Sequence, residues 1–569
     1  MNRISFLFGL FFLLKITSAQ VENVPLYNSV YDFLKEMSVK KIISSYNDDN
    51  PNLSRKEILN FLNEASNKAT NKSSELSSVE NKSLEKYLLE FDDSKQNSKN
   101  TTSLIAGKNE NGVFSSNKFS KRASDIFSDK EKFLYKLDKK DFTLRAELLG
   151  DISIGNEIKP NKKNTASLYD IGIKLRGTIA NKVGYYVDTR KGVYFGNRDL
   201  AALVKPRLKT NFKFLENKDK DKNFDFTEGH LKLQLNPVEN LFISVQLGRE
   251  KITYGYGLGS KLVLSGDNPP MDFYKLNVSY GILSFSHIYA STVGDFSFTQ
   301  PRYTKYFVAH RLKVNINNVV ELGVGETVIY SRPFEIAYMN PLLFYKFTEH
   351  SLQDRDNNTI HFDVRTRPVK NFELYGTLFM DEFNLVKLGD GSDFENKFAF
   401  QTGFFWYEAA MIPNLSFAVE YTKIRPYVYT HRIPEITYDA FGVNLGHRIG
   451  PNADELFSML SYNVSSRLNL KLEFAFQRAG KNVYNSAGDL IRNVGGDIKQ
   501  PRRDSIDSEV AAFLDGIRVN SKHLNFILRF EPLRNYFFEL NYSYRIDENI
   551  STGVRSDYSF GSAKLRIEY

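Results

Sequence analysis

The sequence predicts an all-β transmembrane barrel of antiparallel strands, preceded by a small N-terminal α-helical bundle. Three observations lead to this fold class. From residue 141 to residue 569, apolar side chains alternate with polar or charged ones, which is the period of a β-strand with one apolar face. After the N-terminus no apolar run is long enough for a membrane helix, and the N-terminus itself has the features of an export signal.

The alternation is clearest near the end of the chain. Leucine and phenylalanine occupy every second position of residues 468–476, and residues 538–544 and 565–567 repeat the pattern. A strand in hydrocarbon must pair its backbone on both edges, so the strands must close into a barrel. Roughly 430 residues, at about 22 to 26 per strand and connection, give on the order of 16 to 20 strands, with an even number expected. A soluble β-sandwich or β-helix is the alternative, but the polar faces are densely charged.

The composition of the chain argues against several classes of function. The 569 residues include 46 Phe and 32 Tyr, no Cys and 8 His, and the net charge is +9. The absence of Cys excludes thiol catalysis, Cys-ligated zinc and iron–sulfur clusters, and the 8 His leave few options for other transition-metal sites, so we expect no cofactor and no metal. Lys and Arg are interspersed with Asp and Glu, which is typical of solvated surfaces, and we expect no nucleic-acid partner.

Residues 1–19 are predicted to be a secretory signal peptide. Arg3 is the basic start, an apolar stretch runs from Ile4 to Leu14, and the small residues Thr17 and Ala19 precede the expected cut. An anchoring helix is the alternative, but this stretch is shorter than the roughly 20 residues that a bilayer requires. Export and a barrel together predict the bacterial outer membrane.

Residues 20–91 are predicted to form a small helical bundle, which the family resemblance described below places in the periplasm. Ser54 and Glu57 have the spacing of a capping box, which marks a helix start. Leu84, Tyr87 and Phe91 lie on one stripe of a further helix. Residues 92–140 are rich in Ser, Asn and Lys, and we interpret them as a low-complexity linker and barrel entry. The barrel is predicted at residues 141–569.

One segment, Gly248 to Leu276, interrupts the alternation. Its glycines 255, 257 and 259 lie among tyrosines and predict a bent strand end or an inward loop that shapes or plugs the barrel. A phosphate loop is excluded because the Gly-Lys-Ser/Thr ending is absent.

Metal and catalytic motifs are incomplete. Asp354, Asp356 and Asn358 have the odd-position spacing of a calcium loop, as do the acidic residues from Asp219, but the glycine and the final glutamate are missing in both places. Asp381 and Glu382 are adjacent in a strand and point to opposite faces, so they cannot flank one glycosidic bond. The sequence has no Gly-x-Ser-x-Gly and no His-Glu-x-x-His, so we expect no enzyme activity.

Several ordered motifs resemble a known family. LGREKITYGYGLGSKLVLSGDNPPMDFYKL, VIYSRPFEIAYMNPLLFYKFTEHSLQDRDNN, YGTLFMDEF and NLGHRIGPNADEL resemble motifs of the Wzi-type capsule assembly proteins, and VPLYNSVYDFLKEM resembles the helical segment of many members. The resemblance covers nearly the whole mature chain and departs at the Asn- and Ser-rich linker.

The resemblance implies a barrel of about eighteen strands with a periplasmic helical bundle. The implied function is a surface lectin that retains capsular or other extracellular polysaccharide. Sugar recognition uses aromatic faces surrounded by carboxylates, amides and guanidinium groups. The residues of these types expected at a polysaccharide site are Arg249, Tyr254, Tyr256, Asp267, Asn268, Asp272, Asp354, Asp356, Asn357 and Asp381.

Other partners and functions also follow from the sequence. Outer-membrane lipid and the barrel-insertion machinery are expected partners, and the chain is expected to be monomeric. A diffusion porin or transport channel is the main alternative function, since it would use the same barrel with charged rings in its lumen. An envelope-bound hydrolase or acyltransferase is a second alternative, which the scarcity of His disfavours.

Overall fold

The computed structural model describes residues 20–46, 48–71, 75–97, 99–105, 124–216, 222–294, 303–382 and 393–569. The predicted signal peptide, residues 1–19, lies outside the described residues. So do residues 106–123 of the predicted linker and residues 217–221, which include Asp219.

The chain forms a closed barrel of 18 antiparallel strands, which confirms the predicted fold class. Consecutive strands are paired neighbours, and the last strand pairs with the first, with Leu565 opposite Ile152. The barrel strands are β3 (Phe142–Lys159), β4 (Thr165–Ile179), β5 (Val183–Gly196), β6 (Asn223–Leu235), β7 (Leu241–Glu250), β8 (Met271–Tyr280), β9 (Leu283–Val293), β10 (Thr304–Ile316), β11 (Val320–Tyr330), β12 (Asn357–Thr366), β13 (Phe372–Glu382), β14 (Lys397–Tyr407), β15 (Leu415–Ile424), β18 (Ala453–Ser465), β19 (Leu468–Lys481), β22 (Ile517–Leu533), β23 (Tyr536–Asn549) and β24 (Val554–Glu568).

Six shorter strands lie outside the barrel cycle. They are β1 (Thr101–Ile105), β2 (Glu131–Lys139), β16 (Asp439–Ala440), β17 (Val443–Asn444), β20 (Val483–Tyr484) and β21 (Leu490–Arg492). β2 pairs with the start of β3, and β1 pairs in parallel with β2. The described part of the predicted linker is therefore partly ordered, because its backbone extends the sheet at the edge of β3.

The helices are α1 (Val30–Val39), α2 (Arg55–Asn71), α3 (Ser78–Phe91), α4 (Arg198–Val204), α5 (Phe212–Glu216) and α6 (Tyr345–Ser351). The predicted capping box is present: the Ser54 amide donates to Glu57 Oε2 at 2.8 Å, and the Glu57 amide donates to Ser54 Oγ at 3.2 Å. A second box, Ser77 with Glu80, starts α3. Among the described residues, no helix is both long enough and apolar enough to cross a membrane.

Alternation divides the barrel wall into two faces, as the sequence predicts. Along β3, Ile152 and Ile154 point outward and are exposed, whereas Asp151 and Ser153 point inward and are buried. The same division recurs around the barrel, so the outer surface is an apolar belt and the lumen is polar.

The two ends of the barrel differ. Short turns such as residues 180–182 and 534–535 connect strands at one end, and at the other end the connections include residues 251–270, 331–356, 425–452 and 482–516. The N-terminal helices lie at the short-turn end, which in outer-membrane barrels faces the periplasm. There the Asn371 amide donates to the Val39 carbonyl at 3.0 Å.

The helices share one apolar core with the barrel wall. Buried side chains of α1, α2 and α3, including Leu34, Ile58 and Leu88, pack in the same cluster as Phe405 and Tyr407 of β14. The helical bundle is therefore docked on the wall and is not a separate body.

Glu36 is a buried acid in this interface. It accepts hydrogen bonds from Asn463 Nδ2 at 3.0 and 3.1 Å and from Ser416 Oγ at 3.2 Å. Burial, with the nearby charge of Asp32, raises the pKa of Glu36 from 4.5 to about 8. Since Glu36 binds its proton more tightly when the helix is docked, docking is strongest at acidic pH.

The docked helix should therefore loosen as the pH rises from 4.5 to about 8, because the undocked chain loses this proton first. Glu36→Gln keeps the side-chain shape and removes the titration, so hydrogen exchange of residues 30–39 should depend less on pH. Glu85→Gln, at an exposed acid of α3, is the matched control. Equal pH dependence of wild type and Glu36→Gln over this range would contradict the prediction.

Candidate functional site: the lumen plug and the outer rim

Residues 251–270, which connect β7 to β8, fold into the lumen instead of projecting outward. We call this segment the plug loop. Tyr254 and Leu264 exchange backbone hydrogen bonds at 3.0 and 3.1 Å and close its base. Ile252, Leu262 and Val263 are buried against the inner wall. The prediction of an inward loop at this place is confirmed.

Glycine is required at residue 257. Its φ is +139°, a conformation that side chains disfavour, and a Cβ there would lie 2.1 Å from the Ser260 carbonyl oxygen. The turn brings two further amides onto Glu420, which accepts from Leu258 at 2.8 Å and from Gly259 at 3.1 Å.

The N-terminal segment meets the plug loop inside the barrel. Asp49, which precedes α2, forms ion pairs with Arg311 and, at 3.0 Å, with Lys313 on β10. Its carbonyl accepts the Gly255 amide at 2.9 Å. One residue therefore connects the N-terminal segment, the wall and the plug loop.

Tyr256 of the plug loop contacts the same group of charged residues. Two guanidinium groups lie against its ring, with centroid distances of 5.1 Å to Arg311 and 4.9 Å to Arg365. Its hydroxyl donates to Glu321 at 3.2 Å. Arg365 is also paired with Glu321 at 2.6 Å and with Asp48. We call Asp48, Asp49, Arg311, Lys313, Glu321 and Arg365 the central ion cluster.

Apart from the half-buried Asp48, the residues of the central ion cluster are buried, so their charges must be paired. Arg311 has a second carboxylate partner, Asp363, at 2.9 Å, and Lys313 has a second partner, Glu321, at 3.1 Å. Removing one member of such a buried pair typically costs about 3–5 kcal/mol. The cluster therefore holds the plug loop and the N-terminal segment in place.

The loop of residues 425–452 covers the plug loop and is hydrogen-bonded to it. In residues 425–452, Tyr429 and Tyr438 donate from their hydroxyls to the carbonyls of Leu262 and Val263, each at 2.8 Å. Both tyrosines are fully buried. The two inward loops thus form one packed unit along the inner faces of β8 to β15.

The other side of the lumen is more open. Inward residues of β19 and β22–β24, such as Glu473, Asn525 and Ser543, remain partly exposed. A cavity of about 510 Å³ lies between the helices and these strands, and its lining includes Lys471, Arg529 and Glu539. Most of the side chains that line this cavity are polar or charged.

Comparison with known proteins places this arrangement in a family. The family model described as capsule assembly protein Wzi matches residues 146–519. The chain belongs to the Wzi capsule assembly family. No curated protein sequence matches it significantly.

A solved structure shares the fold of this Wzi family member, and others match it with lower scores. The Escherichia coli outer membrane protein Wzi, described as a carbohydrate-binding β-barrel involved in group 1 capsule assembly, matches with a TM-score of 0.55 and 12% identity, over 97% of this chain and 99% of that one. Acinetobacter baumannii OccAB4 matches with a TM-score of 0.43 and 10% identity, over 76% and 98%. Pseudomonas aeruginosa OccK3 matches with 0.41 and 11%, over 80% and 99%.

The residues predicted for a polysaccharide site do not form one surface. Tyr254, Tyr256 and Asn268 belong to the plug loop and are buried. The Tyr254 hydroxyl lies 2.6 Å from Ser286 Oγ on the inner wall. Asp267, in the same loop, is exposed. In this structure the three buried side chains build the plug.

Arg249 and Asp272 lie elsewhere, on the outer face of the wall. They are directly opposed in the β7–β8 pairing and form an ion pair at 2.8 Å, with side chains 49% and 61% exposed. Since Gln246 and Lys275 point into the lumen, the register places this pair outside, at the rim.

The remaining predicted residues are divided between loops and strand ends. Asp354 is exposed, whereas Asp356 is buried, is paired with Arg332 and accepts the Tyr338 hydroxyl at 2.7 Å. Asn357 donates to the Ile436 carbonyl at 2.9 Å. Asp381 is buried and accepts the Tyr429 amide at 2.5 Å.

One acidic group near Asp354 resembles a cation site. Oxygen and nitrogen atoms of Glu349, His350 and Asp354 lie within 4.8 Å of one another. The Lys346 ammonium is 2.8 Å from Glu349 and 4.0 Å from Asp354, and it already supplies the positive charge there.

Sequence reasoning missed the central ion cluster. Asp49 and Arg311 are 262 positions apart, and nothing in the local pattern of either residue indicates the other. The available signal was the pair Asp48 and Asp49 within an otherwise helical region, together with inward-facing arginines on adjacent strands.

Asp49→Asn should loosen the plug. The variant keeps the shape and leaves Arg311 and Lys313 each with one charge partner fewer, at a cost of about 3 kcal/mol. We expect larger conductance than wild type in planar bilayers. Glu85→Gln, at an exposed acid of α3, is the matched control, and wild-type conductance of Asp49→Asn would contradict this role.

Gly257→Ala should displace the plug loop, because the added Cβ collides with the Ser260 carbonyl. Trypsin should then cleave after Lys261 faster in isolated outer membranes. Gly150→Ala is the control, since no heavy atom lies within 4 Å of the Cβ that it adds. Unchanged cleavage in Gly257→Ala would show that the turn accommodates a side chain.

Proposed function

We propose that this protein binds capsular or other extracellular polysaccharide through its long loops, retains it at the cell surface, and carries out no catalysis. Membership of the Wzi capsule assembly family supports the proposal. The Escherichia coli relative of similar fold is described as carbohydrate-binding and involved in capsule assembly.

The central ion cluster is the observation that carries the proposal. It fixes the plug loop and the N-terminal segment to the inner wall, so much of the lumen is occupied by packed protein. A barrel filled in this way is suited to present a rigid outer surface, and less suited to pass solutes.

The loop of residues 482–516 offers the best surface for sugar. Tyr484, on the short β20–β21 hairpin, is 41% exposed, and its hydroxyl donates to Asp497 at 3.3 Å. Arg492, on the other strand, is exposed and paired with Asp515. An aromatic face beside planar hydrogen-bonding groups is the combination that saccharides require.

The segment that follows this hairpin is buried and hydrogen-bonded to Tyr427. The Tyr427 amide donates to the Gly495 carbonyl at 3.0 Å, and the Tyr427 hydroxyl donates to the Asn493 carbonyl at 3.2 Å. Val494 is buried. A rigid base reduces the ordering that ligand binding would otherwise require.

The residues predicted from the sequence take two roles in this proposal. Asp267, Asp354 and the Arg249–Asp272 pair are accessible and contribute at the margin of the binding surface. The buried residues position the loops. They are Tyr254, Tyr256, Asn268, Asp356, Asn357 and Asp381.

The cellular setting is part of the proposal. We infer that residues 1–19 direct export and that the barrel-insertion machinery places the chain in the outer membrane as a monomer. The apolar belt contacts outer-membrane lipid, and residues 20–91 face the periplasm.

The double variant Tyr484→Ala with Arg492→Gln tests the proposal. In cells that carry only this variant, surface-retained polysaccharide should fall, with about tenfold weaker binding for each 1.4 kcal/mol lost. Tyr280→Ala is the matched control, because Tyr280 is also exposed but lies at the short-turn end. Full retention at equal surface levels would remove this loop from the binding surface.

A diffusion channel is a second candidate, favoured by the partly exposed inward residues of β19 and β22–β24 and the adjoining cavity. Steady conductance of the wild type without binding of its own cell-surface polysaccharide would support this candidate over the first.

A further inference from the structure

The loop of residues 331–356, between β11 and β12, folds over the outside of the barrel. Arg311 and Lys313 point into the lumen, so Val308 and His310 on the same strand point outward. Tyr338 and Tyr345 of the loop pack in one cluster with Val308 and its outward neighbours. We call residues 331–356 the outer flap.

The outer flap satisfies polar groups that would otherwise face hydrocarbon. Outward-facing Glu326 accepts the amides of Tyr345 at 2.8 Å and Lys346 at 3.2 Å, and lies 2.9 Å from His310 Nε2. The His310 ring stacks on Tyr345 at 4.1 Å. Buried polar groups without water must be paired within the protein, and these are.

The other face of the outer flap is strongly apolar. Leu342 is 81% exposed and Phe347 is 70% exposed, and Phe344 lies beside Phe347 with ring centroids 6.0 Å apart. Ile336 and Phe334 are exposed as well. Such a cluster next to the apolar belt is suited to hydrocarbon and not to water.

Directly below the outer flap, the belt contains a groove of about 540 Å³. Gly376 leaves the gap, and the apolar walls come from outward residues of β10 to β13, including Leu312, Leu322, Val324 and Phe362. Glu326, which accepts the Tyr345 and Lys346 amides, anchors the outer flap on β11. Val324 is two residues from Glu326 on the same strand, so the top of the groove is about 7 Å from this anchor.

Two basic residues, Lys346 and Arg355, belong to the outer flap, whose anchor Glu326 lies above this groove. Lys346 follows Tyr345, which is anchored on Glu326, and its ammonium lies 2.8 Å from Glu349 and 4.0 Å from Asp354, so a lipid phosphate would share it with these two carboxylates. Arg355, which follows Asp354 in the chain, is exposed and has no hydrogen-bond or ion-pair partner among the described residues. Two cations above an apolar groove complement a lipid that has a phosphate above an acyl chain.

We propose that the outer flap and the groove form a binding site for a phosphorylated acyl glycolipid of the outer leaflet. One acyl chain occupies the groove beside Gly376, and a phosphate lies against Lys346 and Arg355. The long-loop end of the barrel faces the outer leaflet, which determines the class of lipid. This site is independent of the proposed polysaccharide binding.

Native mass spectrometry of the full detergent-folded chain tests the site with diphosphoryl lipid A as the probe. Wild type should retain one molecule, and Gly376→Leu should weaken retention about tenfold by filling the groove. A Cβ at residue 376 meets only ordinary contacts, the nearest at 3.5 Å, so the variant should fold. Leu460→Phe, on the outward face of β18, is the control.

A second variant tests the phosphate contacts. Lys346→Gln with Arg355→Gln should weaken lipid A retention, and dephosphorylated lipid A should bind wild type and this variant equally. Lys162→Gln with Lys163→Gln removes two cations from another loop at the same end and should have no effect. Equal retention by wild type and Gly376→Leu, or equal retention of phosphatidylglycerol and lipid A, would overturn the proposal.

Discussion

The ion pairs of Asp49 with Arg311 and Lys313 are the interaction on which the rest of the structure depends. A wide barrel with a polar inner wall has many inward charges, and each buried charge needs a partner. Here the partners come from the N-terminal segment, which enters the lumen and binds the wall. The same residue accepts the Gly255 amide, so the plug loop is fixed by the same contact.

Because the lumen is largely filled, the surfaces that remain for binding are the long loops and the outer wall. With the lumen largely occupied, recognition can take place on the long loops, where the β20–β21 hairpin stands on a buried base. The outer wall has its own feature, because the outer flap covers His310 and Glu326 and presents apolar side chains outward. The proposed polysaccharide site and the proposed lipid site therefore lie on different surfaces of the molecule.

The fold was predictable because its signals are local. Alternation along β3 or β19 is visible within ten residues, and the capping box of α2 lies within four. The plug loop was predictable as an inward loop from its glycines. Its tyrosines were predicted to contact sugar, but the Tyr256 ring contacts the guanidinium groups of Arg311 and Arg365, which no local pattern indicates. The outer flap was missed for the same reason: which side of the wall a loop covers depends on contacts across strands.

The most direct test of the account is a cross-link between the N-terminal segment and the inner wall. Asn50 Nδ2 donates to Asn277 Oδ1 on β8 at 3.3 Å, and the chain has no cysteine of its own. In cells that produce Asn50→Cys with Asn277→Cys, a short thiol cross-linker should join the two positions within the folded barrel. Two thiols that react separately with maleimide but never cross-link would place the N-terminal segment outside the lumen and contradict the account.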